Sequence, residues 1–220
     1  MTNAVLLDLD GTLIDSRSGI VSSIHAALHD LGHDPTAAGD LTWTVGPPLP
    51  EVWTRLLAQF GDRRVADGIN AYRQHYGLTG LYDATLYPGI ETALAELYAA
   101  GLDLILATSK RRDFAQRIIE RFGLAPSFLG IYGSEPGELL DSKTDLIAHI
   151  LAREKLSAAQ CIMVGDRQHD VQGAHANNMK AIGALWGYGG AAELAEAGAD
   201  AIAVNAAELV AVVRSFQNRP

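Results

Sequence analysis

Four aspartates follow two short apolar runs that lie far apart in the chain. Asp8 interrupts the first run and Asp10 comes two residues later, whereas Asp166 and Asp170 follow the run CIMVG. Carboxylates two residues apart on an extended backbone project the same way, here around the carboxyl end of a strand. Clustered carboxylates repel one another unless a cation lies between them. A hard ion such as Mg²⁺, which prefers oxygen ligands, suits that role.

A third apolar run ends in Thr108-Ser109-Lys110 and could supply donors for a phosphate group. Its hydroxyls and backbone N–H groups would lie at another strand end, and the helix that follows would add its N-terminal dipole. Lys143 opens a predicted helix, where a cation opposes the dipole, and this misfit hints at an anionic neighbour. The cation of the phosphate site could therefore come from Lys110 or from Lys143.

Strands and helices alternate through most of the chain. Apolar runs predict strands at residues 4–9, 102–107, 128–132, 161–164, 181–185 and 201–204. Apolar residues at helical spacing predict helices at residues 90–100, 113–122, 143–154 and 170–177. This alternation predicts an α/β fold with a doubly wound parallel sheet, a Rossmann-like core. Such sheets bind ligands at the carboxyl ends of their strands, so the four acids converge if the first and fourth strands are neighbours.

The alternation stops between residues 16 and 86, where the pattern is helical only. Helices are predicted at residues 17–31, 48–60 and 64–76. We therefore predict two domains: an α/β core of residues 1–15 and 87–220, and an all-helical domain of residues 16–86 inserted into it.

The charge, the apolar runs and the cysteine content of the chain indicate which classes of protein it can belong to. The net charge of −9, from 26 acids against 17 lysines and arginines, argues against wrapping a nucleic-acid backbone. No apolar run reaches the length of a membrane span, and the N-terminus lacks the pattern of a signal peptide. The single cysteine, Cys161, lies in an apolar run and is expected to be a buried thiol. These features are typical of a cytoplasmic protein that is not associated with membranes or nucleic acid.

The chain resembles the haloacid dehalogenase-like hydrolase superfamily over nearly its whole length. The resemblance rests on Asp8-Leu-Asp10-Gly11-Thr12, then Thr108, Lys143, and Gly165-Asp166 with Asp170, which occur in the order of the four family motifs. The helical insertion is similar to the four-helix cap of that family. Segments 45–49, 71–73, 133–134 and 166–170 resemble the phosphoglycolate phosphatase and 5′-nucleotidase-like branch.

The resemblance implies a magnesium-dependent phosphatase acting on a small phosphorylated metabolite. Asp8 would be the nucleophile that forms an aspartyl-phosphate, and Asp10 would be the general acid and base. Mg²⁺ would be held by Asp8, the backbone carbonyl of Asp10, Asp166 and Asp170. Substrate oxygens would be bound by Thr108, Ser109 and Lys143.

The residues argue against some alternative functions and leave others open. A dehalogenase needs no leaving-group acid such as Asp10, and a phosphonate hydrolase needs a cap lysine, of which residues 16–86 contain none. A sugar phosphomutase and a binding module without catalysis remain open, as does action on a protein phosphoester. Phosphoglycolate, a nucleoside 5′-monophosphate and a sugar phosphate are all compatible substrates, and the sequence does not determine the oligomeric state.

Overall fold

The protein is described from a computed structural model, which covers residues 3–135 and 140–217. The chain forms two compact units. One unit joins Met1–Ile14 to Leu86–Pro220, and the other is the continuous segment Asp15–Thr85.

The larger unit contains a six-stranded sheet in which every pairing is parallel. The strands of the chain are β1 Ala4–Leu7, β2 Ile14–Asp15, β3 Thr85–Leu86, β4 Asp103–Arg111, β5 Gly130–Ser134, β6 Cys161–Gly165, β7 Lys180–Ala184 and β8 Ala201–Ala203. The order in the six-stranded sheet is β5-β4-β1-β6-β7-β8. A separate two-stranded sheet pairs β2 with β3. The predicted doubly wound sheet is confirmed, and β1 lies between β4 and β6, so the first and fourth predicted strands are neighbours.

Nine α-helices connect the strands or form the smaller unit within the part of the chain described. They are α1 Arg17–Asp30, α2 Leu49–Ala58, α3 Val65–Leu78, α4 Ile90–Ala99, α5 Arg112–Arg121, α6 Lys143–Glu154, α7 Gln168–Ala176, α8 Gly190–Glu196 and α9 Ala206–Gln217. The predicted helices are present with ends that shift by one or two residues, and α6 has the predicted bounds. Ser142 caps the start of α6, since its hydroxyl accepts from the Asp145 N–H at 3.5 Å.

One face of the sheet is covered by α6, α7 and α8 through a continuous apolar cluster. Its strand residues include Leu6, Ile105 and Met163, and helix residues such as Ile147 and Val171 pack over them. Strand residues on both faces are buried because helices cover both sides, which explains why the strands are continuous apolar runs in the sequence. Cys161 is a free, buried thiol as predicted, and burial raises its pKa to about 11.

Three strands differ from their predicted bounds by two residues or more at an end, and the other predicted strands differ by one residue. The strand predicted at residues 128–132 is Gly130–Ser134. The first strand ends at Leu7 rather than at residue 9, so Asp8 is the first residue after β1. The strand predicted at residues 102–107 instead continues to Arg111 as β4. Its pairing with β5 shifts in register between Ala107 and Arg111. Because of this irregularity the strand includes polar residues, and a prediction from apolar residues alone ends the strand too early.

The smaller unit is helical, as its pattern indicates. It contains α1, α2 and α3, with short 3₁₀ segments at Pro35–Ala38, Thr42–Thr44 and Gly80–Tyr82. Three α-helices therefore stand where the resemblance implied four, because the remaining segments form single 3₁₀ turns. No helix in residues 3–135 or 140–217 combines the length and apolar character needed to cross a membrane.

Candidate active site

The predicted acids meet at the carboxyl ends of two neighbouring strands. Asp8 follows the last residue of β1, and Asp166 follows the last residue of β6. The pairing continues past β1, since the Asp8 N–H donates to the Val164 carbonyl at 2.9 Å. Asp170 reaches the same place from the first turn of α7. This is the position at which parallel sheets bind ligands, beside the point where the strand order reverses.

Three of these carboxylates form a tight cluster. Asp8, Asp166 and Asp170 each offer a carboxylate oxygen, and these oxygens lie within 4.8 Å of one another. All three side chains are buried. Buried oxygen donors at this separation could together hold a hard divalent cation.

Lys143 joins the cluster from the first residue of α6. Its Nζ lies 2.7 Å from Asp8 Oδ1, 2.7 Å from Asp170 Oδ1 and 2.6 Å from the Ala107 carbonyl oxygen. The three acceptors match the three protons of an ammonium group. Burial alone would lower the pKa of Lys143, but the carboxylates of Asp170 and Asp8 outweigh burial and raise the pKa. The cation that opposes the helix dipole at this position therefore has its anionic partners in the cluster.

Burial disfavours ionisation of the aspartates. Burial raises the pKa of Asp8 to about 6, against the opposing effect of Lys143. The pKa of Asp166 is raised well above its usual value by burial and by the charges of Asp170 and Asp8. The single positive charge of Lys143 does not offset the negative charge of three carboxylates. A further cation bound in the cluster would therefore be stabilised.

Asp170 has two roles that use different oxygens. Its Oδ2 accepts from the Arg167 N–H at 3.1 Å and so caps α7, while its Oδ1 pairs with Lys143. Glu193 of α8 secures the same turn, since one of its oxygens accepts from Arg167 Nε at 2.9 Å and from the Gln168 N–H at 2.8 Å. Asp170 therefore both caps α7 and takes part in the carboxylate cluster.

Asp166 lies in a cradle of backbone groups and glycines. The Tyr188 N–H donates to its Oδ2 at 2.7 Å, and the Thr12 hydroxyl lies 3.4 Å from its Oδ1. A Cβ on Gly187 would come within 2.2 Å of Asp166 Cβ, and one on Gly11 within 2.2 Å of Asp166 Oδ2. These positions have no room for a side chain, so the glycines allow the loops to approach Asp166 closely.

Asp10 has a separate cationic partner. Lys110, near the end of β4, places its Nζ 2.7 Å from Asp10 Oδ1. The Lys110 N–H donates to the buried Thr108 hydroxyl at 3.2 Å. Ser109 is half-buried between these two residues and has no hydrogen bond to the cluster among the residues described. Each carboxylate of the Asp8–Asp10 pair is thus bound by a different lysine.

Comparison with known proteins decides the family. Residues 5–184 match the family model described as haloacid dehalogenase-like hydrolase. The chain belongs to this family. The match contains every aspartate, lysine and threonine of the site, from the strand that precedes Asp8 to the end of β7.

Several known proteins resemble this chain along most of its length. A 5′-nucleotidase of Pseudomonas aeruginosa is 40% identical over 190 residues, which cover 86% of each protein. Tyrosine-protein kinase PtkA of Mycobacterium tuberculosis is 42% identical over 186 residues, which cover 84% of this chain but 62% of PtkA. The crystal structure of a predicted phosphatase from Clostridium acetobutylicum is 34% identical, with a TM-score of 0.90, covering 98% of this chain and 99% of that one.

Some residues of this haloacid dehalogenase-like site were not singled out from the sequence. Thr12 belongs to the first motif but has no role in the sequence prediction. Glu193 was missed, because no local pattern distinguishes it from an ordinary surface residue. The glycine-rich stretch from Gly187 to Gly190 gave a usable signal, because three glycines in four residues indicate a backbone that approaches something closely. The structure places Tyr188 of that stretch against Asp166.

Proposed function

We propose that this protein is a Mg²⁺-dependent phosphatase that hydrolyses a small phosphomonoester through an aspartyl-phosphate on Asp8. The observation that carries the proposal is the buried position of Asp8, with its Oδ1 held by Lys143 beside two further carboxylates. A carboxylate used only for structure would not need this concentration of charge at the carboxyl ends of parallel strands. The same arrangement suits a nucleophile that meets a phosphoryl group.

In the first half-reaction, an oxygen of Asp8 would attack phosphorus as the bond to the leaving oxygen breaks. Lys143 holds the nucleophile in place and would stabilise charge on the transferring phosphoryl oxygens. Thr108 and Ser109, at the end of β4, are proposed to donate to the same oxygens. Asp10 would give its proton to the leaving oxygen, so that a neutral alcohol departs.

In the second half-reaction, water would attack the phosphorus of the aspartyl-phosphate. Asp10, left ionised by the first step, would take a proton from that water while the bond between phosphorus and Asp8 breaks. Inorganic phosphate is released and both aspartates return to their starting states. A single residue can serve as acid and then as base because the two steps use it in opposite directions.

The cluster fits a divalent cation of the magnesium type. Asp8, Asp166 and Asp170 supply oxygen donors, and the backbone carbonyl of Asp10 is proposed as a further ligand. Burial and the charges of Asp170 and Asp8 raise the pKa of Asp166, so a cation at this position would favour its ionised form. When bound, Mg²⁺ would offset the negative charge of the carboxylates and of the phosphoryl oxygens.

The substrate is proposed to be a small phosphorylated metabolite, and residues 16–86 are proposed to act as the cap that selects it. Phosphoglycolate, a nucleoside 5′-monophosphate and a sugar phosphate are the candidates. A 5′-nucleotidase among the relatives favours nucleoside monophosphates as the first class to assay. Substrate turnover without release of phosphate would favour a sugar phosphomutase, and ligand binding without turnover would favour a binding module.

A second candidate function is phosphoryl transfer to a protein tyrosine, favoured by the 42% identity with PtkA. The two functions differ in the acceptor, which is water for a phosphatase and a tyrosine hydroxyl for a kinase. Incubation with γ-labelled ATP and a tyrosine-containing peptide separates them. Label transferred to tyrosine supports the second function, whereas an unlabelled tyrosine together with phosphate release from phosphomonoesters supports the first.

The proposed function is tested by a panel of phosphomonoesters with Mg²⁺ and with EDTA. We expect p-nitrophenyl phosphate and at least one natural phosphomonoester to release phosphate in Mg²⁺, and EDTA to abolish the release. Phosphopeptides should be poorer substrates than metabolites. Faster turnover of phosphopeptides would overturn the proposed substrate class, and turnover unaffected by EDTA would overturn the metal dependence.

Asp10→Asn is expected to slow substrates with poor leaving groups far more than those with good ones. An alkyl alcohol leaves phosphorus only with a proton, whereas p-nitrophenolate leaves without one. A general acid contributes roughly 10²- to 10⁴-fold to the rate, so kcat/KM for an alkyl phosphate should decrease by a factor in that range. For p-nitrophenyl phosphate, kcat/KM should fall much less. Equal losses for the two substrates would contradict the assignment of Asp10 as the acid.

A further inference from the structure

Lys110 contacts Asp10, although the proposed reaction gives Lys110 no part. The two residues are 100 positions apart in the sequence, and their side-chain exposures are 6% and 10%. Sequence alone suggested Lys110 as one of two possible cations for a phosphate group. In the structure its ammonium lies 2.7 Å from Asp10 Oδ1, on the proposed acid and base.

We propose that Lys110 is a positioning residue that anchors Asp10 through Oδ1, and we assign the proton exchange of the reaction to Oδ2. The proposal rests on the proposed phosphatase function, because it assigns the two oxygens of the acid and base in that reaction. Lys110 does not itself touch the substrate in this account. It acts through the orientation of Asp10.

The assignment follows from the chemistry of an ammonium group. A lysine ammonium has three donors and no acceptor, so a proton on Asp10 Oδ1 would point at another proton. Protonated Asp10 therefore carries its proton on Oδ2. Throughout both half-reactions Oδ1 can keep its hydrogen bond to Lys110, and only Oδ2 changes its bonding.

The surrounding backbone makes Lys110 suited to this task. It lies in β4, which pairs directly with β1, so the lysine and the segment that follows β1 are held by adjacent strands. Its own N–H is bound to the Thr108 hydroxyl, which restrains the irregular end of the strand. Both side chains are largely removed from water, so a cation paired to a carboxylate here is ordered more than a surface pair would be.

Each of the two proton transfers then starts or ends at Asp10 Oδ2. In the first half-reaction the proton on Asp10 Oδ2 passes to the leaving oxygen as its bond to phosphorus breaks. In the second, a proton of the attacking water passes to Oδ2 as the water oxygen bonds to phosphorus and the Asp8 oxygen leaves. Lys110 keeps its protons in both steps.

The alternative role of Lys110 is to bind the phosphoryl group, and the two roles differ in what they affect. A phosphate-binding lysine assists every phosphomonoester similarly, whatever its leaving group. A lysine that positions the acid assists mainly those substrates whose leaving oxygen needs a proton. The dependence on the leaving group is therefore the property to measure.

The experiment compares Lys110→Met, Lys110→Arg and Lys110→Gln with wild type on an alkyl phosphate and on p-nitrophenyl phosphate. Lys110→Met should lower kcat/KM for the alkyl phosphate at least ~10-fold more than for p-nitrophenyl phosphate, a part of the contribution of a general acid. Lys110→Arg keeps the cation and should recover part of that selectivity. Lys180→Met is the matched control, since Lys180 also pairs with an aspartate but is exposed at the amino end of β7. It should change neither value.

A double-variant cycle completes the test. If Lys110 acts through Asp10, Lys110→Met should add little to the loss already caused by Asp10→Asn. Equal losses on both substrates, weaker inhibition by inorganic phosphate, or additive losses in the double variant would overturn the proposal. If Lys110→Met fails to fold, as thermal unfolding would show, Lys110→Gln gives the same comparison. Absence of phosphatase activity in wild type would instead overturn the proposed function itself.

Discussion

Asp8→Asn is expected to lower turnover of every phosphomonoester by roughly 10⁴-fold or more, the scale on which loss of a nucleophile acts. The amide has nearly the shape of the carboxylate, but it is a far weaker nucleophile toward phosphorus. It also removes the negative charge that Lys143 binds at 2.7 Å. The loss should therefore appear in kcat for good and poor leaving groups alike, as steady-state kinetics would show.

This uniform loss separates the role of Asp8 from that of Asp10. The variant should remain folded, because removing one carboxylate lowers the repulsion within a buried acidic cluster. Asp103→Asn is a suitable control, since Asp103 is exposed at the opposite end of β4 and should tolerate the change without loss of activity. Turnover near the wild-type rate in folded Asp8→Asn would contradict the proposed chemistry.

Asp166→Asn is expected to have opposite effects on activity and on stability. Activity in Mg²⁺ should fall by about 10³-fold, because a bound metal supplies several kcal/mol of charge stabilisation. The melting temperature of the metal-free protein should rise, because the variant removes an unfavourable buried charge. Asparagine can keep the hydrogen bond from the Tyr188 N–H, so the loop should stay in place.

The pKa of Asp166 gives the sign of the stability effect. Its folded pKa is raised above the unfolded value, so the folded state binds more protons. Stability then falls as pH rises between those two values, and metal-free wild type should melt at a lower temperature at pH 7.5 than at pH 5. Asp166→Asn should lessen that dependence.

Thermal unfolding with EDTA and with Mg²⁺ at pH 7.5 measures the metal response without relying on activity. A saturating ligand at about 100 times its Kd stabilises the folded state by about 2.7 kcal/mol, so wild type should melt about 5 °C or more higher in Mg²⁺. Asp166→Asn should show little or no increase. An equal increase in both proteins would show that Asp166 does not hold the metal.

Much of the fold could be predicted from the sequence because a parallel sheet covered on both faces leaves a simple pattern. Apolar runs such as residues 161–164 are continuous, since both faces of each strand are buried. Strand ends were less predictable. The end of β4 is polar because an irregular register places Thr108 and Lys110 within the strand, and apolar patterning cannot detect that.

The convergence of the aspartates was also predictable, but their partners were not. Strand adjacency is enough to bring Asp8 near Asp166, because both follow the carboxyl ends of paired strands. Which lysine binds which carboxylate depends on the reach of long side chains. From the residues alone Lys110 and Lys143 were both candidates for the cation of a phosphate site, and the resemblance implied Lys143. The structure pairs Lys143 with Asp8 and Lys110 with Asp10.

The proposed aspartyl-phosphate on Asp8 can be detected by chemical trapping of the phosphorylated aspartate during turnover. The protein is quenched with acid while it hydrolyses its substrate, treated with borohydride, which reduces an aspartyl-phosphate to homoserine, and digested with trypsin. The first site for trypsin is Arg17, so Asp8 and Asp10 lie in one peptide whose fragmentation distinguishes them. We expect homoserine at position 8 in wild type and none in Asp8→Asn. Active protein that gives no homoserine at position 8, or gives it at another aspartate, would show that Asp8 is not the nucleophile.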